Sequence, residues 1–130
     1  MIFKGRFRTV RQRDHAVPTP LPRPLLGPEA FLDIRAWRRA GDDSGDDLGQ
    51  PGPLLLVTSP RKTGRAVQRN RFRRQVRMAF LGLSERIAGR PWIVWVRPAR
   101  LAPPLDRLTL RDIEGQLALA LRRLPPVDTP

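Results

Sequence analysis

Between Arg61 and Arg77 the chain carries eight basic side chains and no acid: Arg61, Lys62, Arg65, Arg69, Arg71, Arg73, Arg74 and Arg77. Charge runs on soluble proteins normally mix signs. Like charges at i,i+4 spacing also repel and cost helix stability. A run of one sign therefore suits a polyanion, whose phosphates relieve the repulsion and whose released counterions make affinity fall with salt. Asn70 sits among these arginines and can donate and accept at once, so it reads as a bridge between a nucleic acid and the protein backbone.

The spacing predicts a helix over 65–83. On a helical wheel Phe72, Val76, Ala79 and Leu83 fall within about 60° of one another, which makes them the buried edge. Asn70, Arg71, Arg73, Arg74 and Arg77 fan out over the other side, with Arg69 at the border. Gly64 marks a turn before the helix, and free backbone N–H groups there would favour an anion.

The remaining elements must hold that helix in place. Residues 30–37 alternate in strand fashion, and residues 54–59 form an apolar run of strand length. Residues 92–96, Trp-Ile-Val-Trp-Val, form the clearest strand, being aromatic and β-branched. A last helix starts at Thr109, whose spacing to Asp112 is that of a capping box. Its apolar stripe is Ile113, Leu117, Leu121 and Leu124, and Pro125-Pro126 stops it. Near the start, Phe7 and Val10 have helical spacing and predict a short first helix within residues 1–14. The order is α-β-β-α-β-α, an α/β (α+β) two-layer sandwich with a small central sheet in one domain over residues 1–130.

Three segments stand apart. Residues 16–28 hold five prolines and read as an extended, polyproline-like stretch. Residues 41–53 hold four of the twelve acids and read as a flexible acidic loop, a solvated insertion whose spacing fits no calcium loop. Residues 125–130 read as a disordered tail.

Composition agrees with the helix. Twenty-five Lys and Arg against twelve Asp and Glu leave a formal charge of +13. That balance points first to nucleic acid and second to an anionic membrane. Only Lys4 and Lys62 are lysine. Arginine suits bidentate phosphate contact, although a GC-rich genome would give the same bias without any function. With no cysteine there is no disulfide, Cys-ligated zinc or thiol nucleophile. No apolar run is long enough to span a bilayer, and the start does not read as a signal peptide, so a cytoplasmic protein is expected.

Catalytic groups are scarce. A nuclease needs an acid, a base or a metal cage. His15 is the one histidine, beside the Pro-rich stretch, and reads as a surface residue. The densest Asp cluster lies in the acidic loop, and no phosphate-binding glycine loop occurs. No catalytic residue and no protein metal site are predicted.

The run Thr58-Ser59-Pro60-Arg61-Lys62-Thr63-Gly64-Arg65-Ala66-Val67-Gln68-Arg69-Asn70-Arg71-Phe72, continuing to Phe80, resembles the signature of the bacterial ribonuclease P protein family. The likeness extends more loosely to the Trp92–Pro98 strand, with its Arg97-Pro98 ending, and to the last helix. It implies a partner, the catalytic RNA subunit, and a substrate, precursor tRNA, whose 5′ leader the ribonucleoprotein removes. Mg2+ would be held by that RNA and the substrate, and the chain alone would be inactive. The implied RNA-binding set is Arg61, Lys62, Arg65, Arg69, Asn70, Arg71, Arg73, Arg74 and Arg77. No membrane and no obligate protein partner are implied. A cleft between the first helix and the sheet would hold the leader, with Phe7 and Phe31 as its aromatic floor; each reads equally as core. The family fold also implies a left-handed βαβ crossover, against the usual hand. Pro60, Thr63 and Met78 depart from the family's usual Ser, Val and Glu, and the Pro-rich stretch replaces a Gly turn. Two other classes compete: a ribosomal-type structural RNA-binding protein, and a basic DNA-binding module, which lacks a partner helix for helix-turn-helix docking.

Overall fold

The computed structural model describes residues 8–10, 18, 20–38, 53–83, 92–100 and 102–124. Its elements are β1 (Arg8–Val10), β2 (Leu32–Arg38), β3 (Leu54–Val57), α1 (Ala66–Leu83), β4 (Trp92–Pro98) and α2 (Leu110–Arg122). Short 3-10 turns at Arg61–Thr63 and Leu105–Arg107 precede α1 and α2.

The sheet order is β1-β3-β4-β2. β3 pairs in parallel with both β1 and β4, and β2 closes the other edge antiparallel to β4. Parallel neighbours need a long crossover, and α1 is the crossover between β3 and β4. Strands buried on both faces read as continuous apolar runs rather than alternating ones. That explains Leu54-Leu55-Leu56 and Trp92 to Val96, all of them buried.

One sheet face, with Leu32, Ile34, Leu55, Trp92, Val94 and Val96, forms the core with the helices. From α1 it takes Phe72, Val76, Ala79 and Phe80, and from α2 Ile113, Leu117, Ala120 and Leu121. The two-layer sandwich expected from sequence is present, with both helices on this face. Leu83 of the expected stripe is half-buried against the same cluster. The sequence reading omitted Phe80, so the buried edge of α1 is wider than the wheel suggested.

α2 follows its signals closely. The Thr109 hydroxyl accepts from the Asp112 N–H at 3.1 Å, and the Asp112 carboxylate accepts from the Thr109 N–H at 3.1 Å, a complete capping box. Ile113, Leu117, Leu121 and Leu124 are all buried.

The first element differs from expectation. Arg8–Val10 is a strand, with Arg8 opposite Leu54 and Val10 opposite Leu56. Two apolar residues three apart are a weak helical signal. The exposed edge of β3 offers this segment a ladder of backbone partners, and edge pairing overrides it. The rest of the expected first helix, Phe7 included, lies outside the described residues, as do His15, residues 41–52 of the acidic loop and residues 125–130.

Among residues 20–30 no helix or strand forms. The Leu25 N–H donates to the Ile34 carbonyl at 2.8 Å, and the Arg35 guanidinium donates to the Pro22 carbonyl at 2.7 Å. Leu26 is buried in the core. The stretch thus lies along the outer edge of β2 and covers groups that an edge strand would otherwise expose. Gln116 on α2 secures the start of β2, its side-chain oxygen accepting from the Phe31 and Leu32 N–H groups at 2.9 and 3.0 Å.

Candidate nucleic-acid interface

The basic run occupies the 3-10 turn and α1, and the turn is closely built. Gly64 has φ 157° and ψ −177°, a conformation almost confined to glycine. Its N–H donates to the Arg61 carbonyl at 3.3 Å. The Arg65 N–H donates to Gln68 Oε1 at 3.0 Å. This is the half of a capping box in which the side chain three residues on reaches back to the residue before the helix. Two of the N–H groups expected to await an anion are therefore already bonded within the chain.

The arginines of α1 separate into two sets. Arg69 Nε donates to the Gly64 carbonyl at 3.1 Å. Arg73 donates to Ser59 Oγ at 2.9 Å with one arm and to Asn70 Oδ1 with the other. Both arginines are half-buried, whereas Arg61, Lys62, Arg65, Asn70, Arg71, Arg74 and Arg77 are exposed. Arg73 was placed on the outward side by the wheel. With Phe80 buried, Arg69 and Arg73 fall on the Phe80 side of the buried edge rather than opposite it. Asn70, expected to bridge outward, accepts from Arg73 through its side-chain oxygen.

A second polar surface lies on the sheet face away from the helices, and sequence reasoning missed it. Asp33 stands opposite Arg97 across β2 and β4. Its carboxylate accepts from Arg97 Nε at 2.9 Å and from Arg35 at 3.0 and 3.3 Å. The Arg97 guanidinium lies 4.6 Å from the centroid of the Trp95 ring, a cation–π contact. Trp37 meets Trp95 edge-on at 6.3 Å, and the Trp95 indole N–H donates to Thr58 Oγ1 at 2.9 Å. The usable signal was the odd-numbered series Asp33, Arg35, Trp37, which opposes the core-facing Leu32, Ile34 and Ala36.

A cleft of about 780 Å³ opens between this face and the turn before α1, with Asp33, Lys62, Thr63, Arg97, Arg100 and Leu105 among its lining. Phe31, proposed from sequence for an aromatic floor, is half-buried and packs against the core cluster. Among the described residues, no group of three His, Cys, Asp or Glu side chains is placed to hold a metal ion. No helix among them is long and apolar enough to cross a membrane.

A small α+β sandwich whose parallel crossover is a helix of one charge sign defines the class. The model of the Ribonuclease P family matches residues 32–124, which takes in the 3-10 turn, α1, β4 and α2. The chain belongs to the Ribonuclease P family. That membership implies involvement in a ribonucleoprotein endonuclease of tRNA processing, and family and fold together support a protein subunit of ribonuclease P. A search of curated proteins finds no match. Among solved structures, the RNase P protein from Thermotoga maritima is similar at 22% identity and a TM-score of 0.59, over 78% of this chain and 83% of that one. The same protein in complex with 1-(4-fluorophenyl)-2-thiourea gives the same identity and score, over 77% and 84%. The Staphylococcus aureus RNase P protein is similar at 20% identity and a TM-score of 0.53, over 72% and 74%. At these identities the likeness is one of fold.

Proposed function

We propose that this chain binds the catalytic RNA of ribonuclease P through the 3-10 turn and α1, and assists RNA-catalysed removal of the 5′ leader from precursor tRNA. One observation carries the reading. Eight basic residues and no acid lie between Arg61 and Arg77, on an element within the region matched by the family. Arg61, Lys62, Arg65, Arg71, Arg74 and Arg77 would meet RNA phosphates, while Arg69, Asn70 and Arg73 shape the helix that presents them.

The cleft bearing Lys62, Arg97 and Arg100 is the candidate path for single-stranded leader, since cations there would track a phosphodiester backbone. Phe7 and Phe31 remain the aromatic candidates for leader contact. Magnesium would belong to the RNA and its substrate, and the chain would contribute position and charge rather than bond-breaking groups.

Reconstitution tests the reading. The full chain is combined with the ribonuclease P RNA of the same genome and precursor tRNA at low magnesium. Cleavage at the mature 5′ end should rise with the protein present and should be absent with the protein alone. Unchanged cleavage by the RNA would sink the proposal.

A further inference from the structure

Two large apolar side chains of α1 face solvent, Val67 at 77% exposure and Met78 at 54%. They are not scattered. Val67, Arg71, Arg74 and Met78 follow one another at i, i+4, i+7 and i+11, so they fall within about 60° of one another on the helix. The centre of that line is opposite the buried residues Phe72, Val76, Ala79 and Phe80, and all four residues are exposed. The outermost ridge of α1 is therefore apolar, cationic, cationic, apolar over about 16 Å.

We infer that the RNA is met along this ridge. Arg71 and Arg74 take backbone phosphates, while Val67 and Met78 pack on unpaired base or ribose surface at either end. The inference rests on the functional reading above and narrows it to one line of the helix. Charge selects the occupant, because α1 carries no acid and its arginines from Arg69 to Arg77 are complementary to a polyanion. A ridge made only of arginines could slide along a phosphate backbone. Apolar ends fix its register, because they gain only where a base or sugar face is open to them.

The two components should separate by salt. The probe is the in vitro transcript of the ribonuclease P RNA from the same genome, bound to the full chain over a range of salt concentrations. Val67→Ser and Met78→Gln should each weaken binding about fivefold with an unchanged salt slope, since burial of apolar surface releases no counterions. Arg71→Ala and Arg74→Ala should each flatten the slope by about one contact. Val67→Ile and Met78→Leu should keep wild-type affinity. Leu119→Gln, at an exposed apolar site of α2 with 40% exposure, should change nothing. Wild-type affinity in Val67→Ser and Met78→Gln would overturn the ridge while leaving the functional reading intact. A changed salt slope in either would also overturn it, by showing that the substitution acts through the arginines. Loss of self-association with RNA affinity intact would place a second copy of the chain there instead. No binding of the transcript by the wild-type chain would sink the functional reading itself.

Discussion

The Arg73 guanidinium donates to Ser59 Oγ at 2.9 Å, tying the first half of α1 to the chain just beyond β3. Ser59 is only 6% exposed, so without Arg73 its hydroxyl would lose a bond in a site with little water. Arg73→Ala should cost about 1–3 kcal/mol in urea denaturation. Arg71→Ala, at an exposed position, should stay within about 0.5 kcal/mol of wild type. Equal losses would show that the two arginines do not divide into scaffold and surface.

Gly64 should tolerate no side chain. A Cβ there would lie 2.6 Å from Gln68 Oε1, and Gln68 could swing away, but it would then release the Arg65 N–H. The backbone at φ 157° stays unfavourable for an L-residue whatever Gln68 does. Gly64→Ala should cost about 1–3 kcal/mol. Helicity measured by circular dichroism should persist, because the change lies outside α1.

Gln116 joins α2 to the start of β2 through two backbone N–H groups. Gln116→Leu keeps the size and removes the acceptor. Stability should fall by about 2 kcal/mol, because two partly buried donors lose their partner. Amide hydrogen exchange at Phe31 and Leu32 should quicken more than at Leu25, whose N–H is bonded instead to the Ile34 carbonyl. Uniform quickening along β2 would point to global rather than local loosening.

Asp33 holds Arg35 and Arg97 together, and Arg97 in turn lies over Trp95. These side chains are partly open to solvent, so Asp33→Ala should cost only about 1 kcal/mol. Trp95 should report the change, since a released guanidinium uncovers its ring and moves tryptophan emission. Arg97→Ala and the double variant complete a cycle, and coupling should exceed about 0.5 kcal/mol. Strict additivity would mean that the pair does not act as a unit.

Legibility in the sequence followed the range of the contacts. α2 was readable almost completely, because its cap and its apolar stripe are neighbours in the chain. The span of α1 was readable for the same reason. Phe72, Val76 and Ala79 of its buried edge were readable too, but Phe80 was not, because its place in the core depends on the elements packed around α1. That placement drew Arg69 and Arg73 inward, which no wheel of an isolated helix would show. The Asp33, Trp95 and Arg97 group was hidden for a related reason. It forms through the register of β2 against β4, strands about sixty residues apart in the chain. Arg8–Val10 shows local periodicity losing to a free sheet edge.

The placement of α1 as the crossover between β3 and β4 has a mechanical consequence. A docking helix on a surface loop could tilt or unwind to suit its partner. This one is held against the core by Phe72, Val76, Ala79 and Phe80, and to the chain beyond β3 by the Arg73–Ser59 bond, so any large tilt would disturb that packing. The helix is thus presented as a fixed wedge, and little ordering remains to be done at the moment of contact. Adjustment of shape falls to the partner, which must bring a groove that already fits.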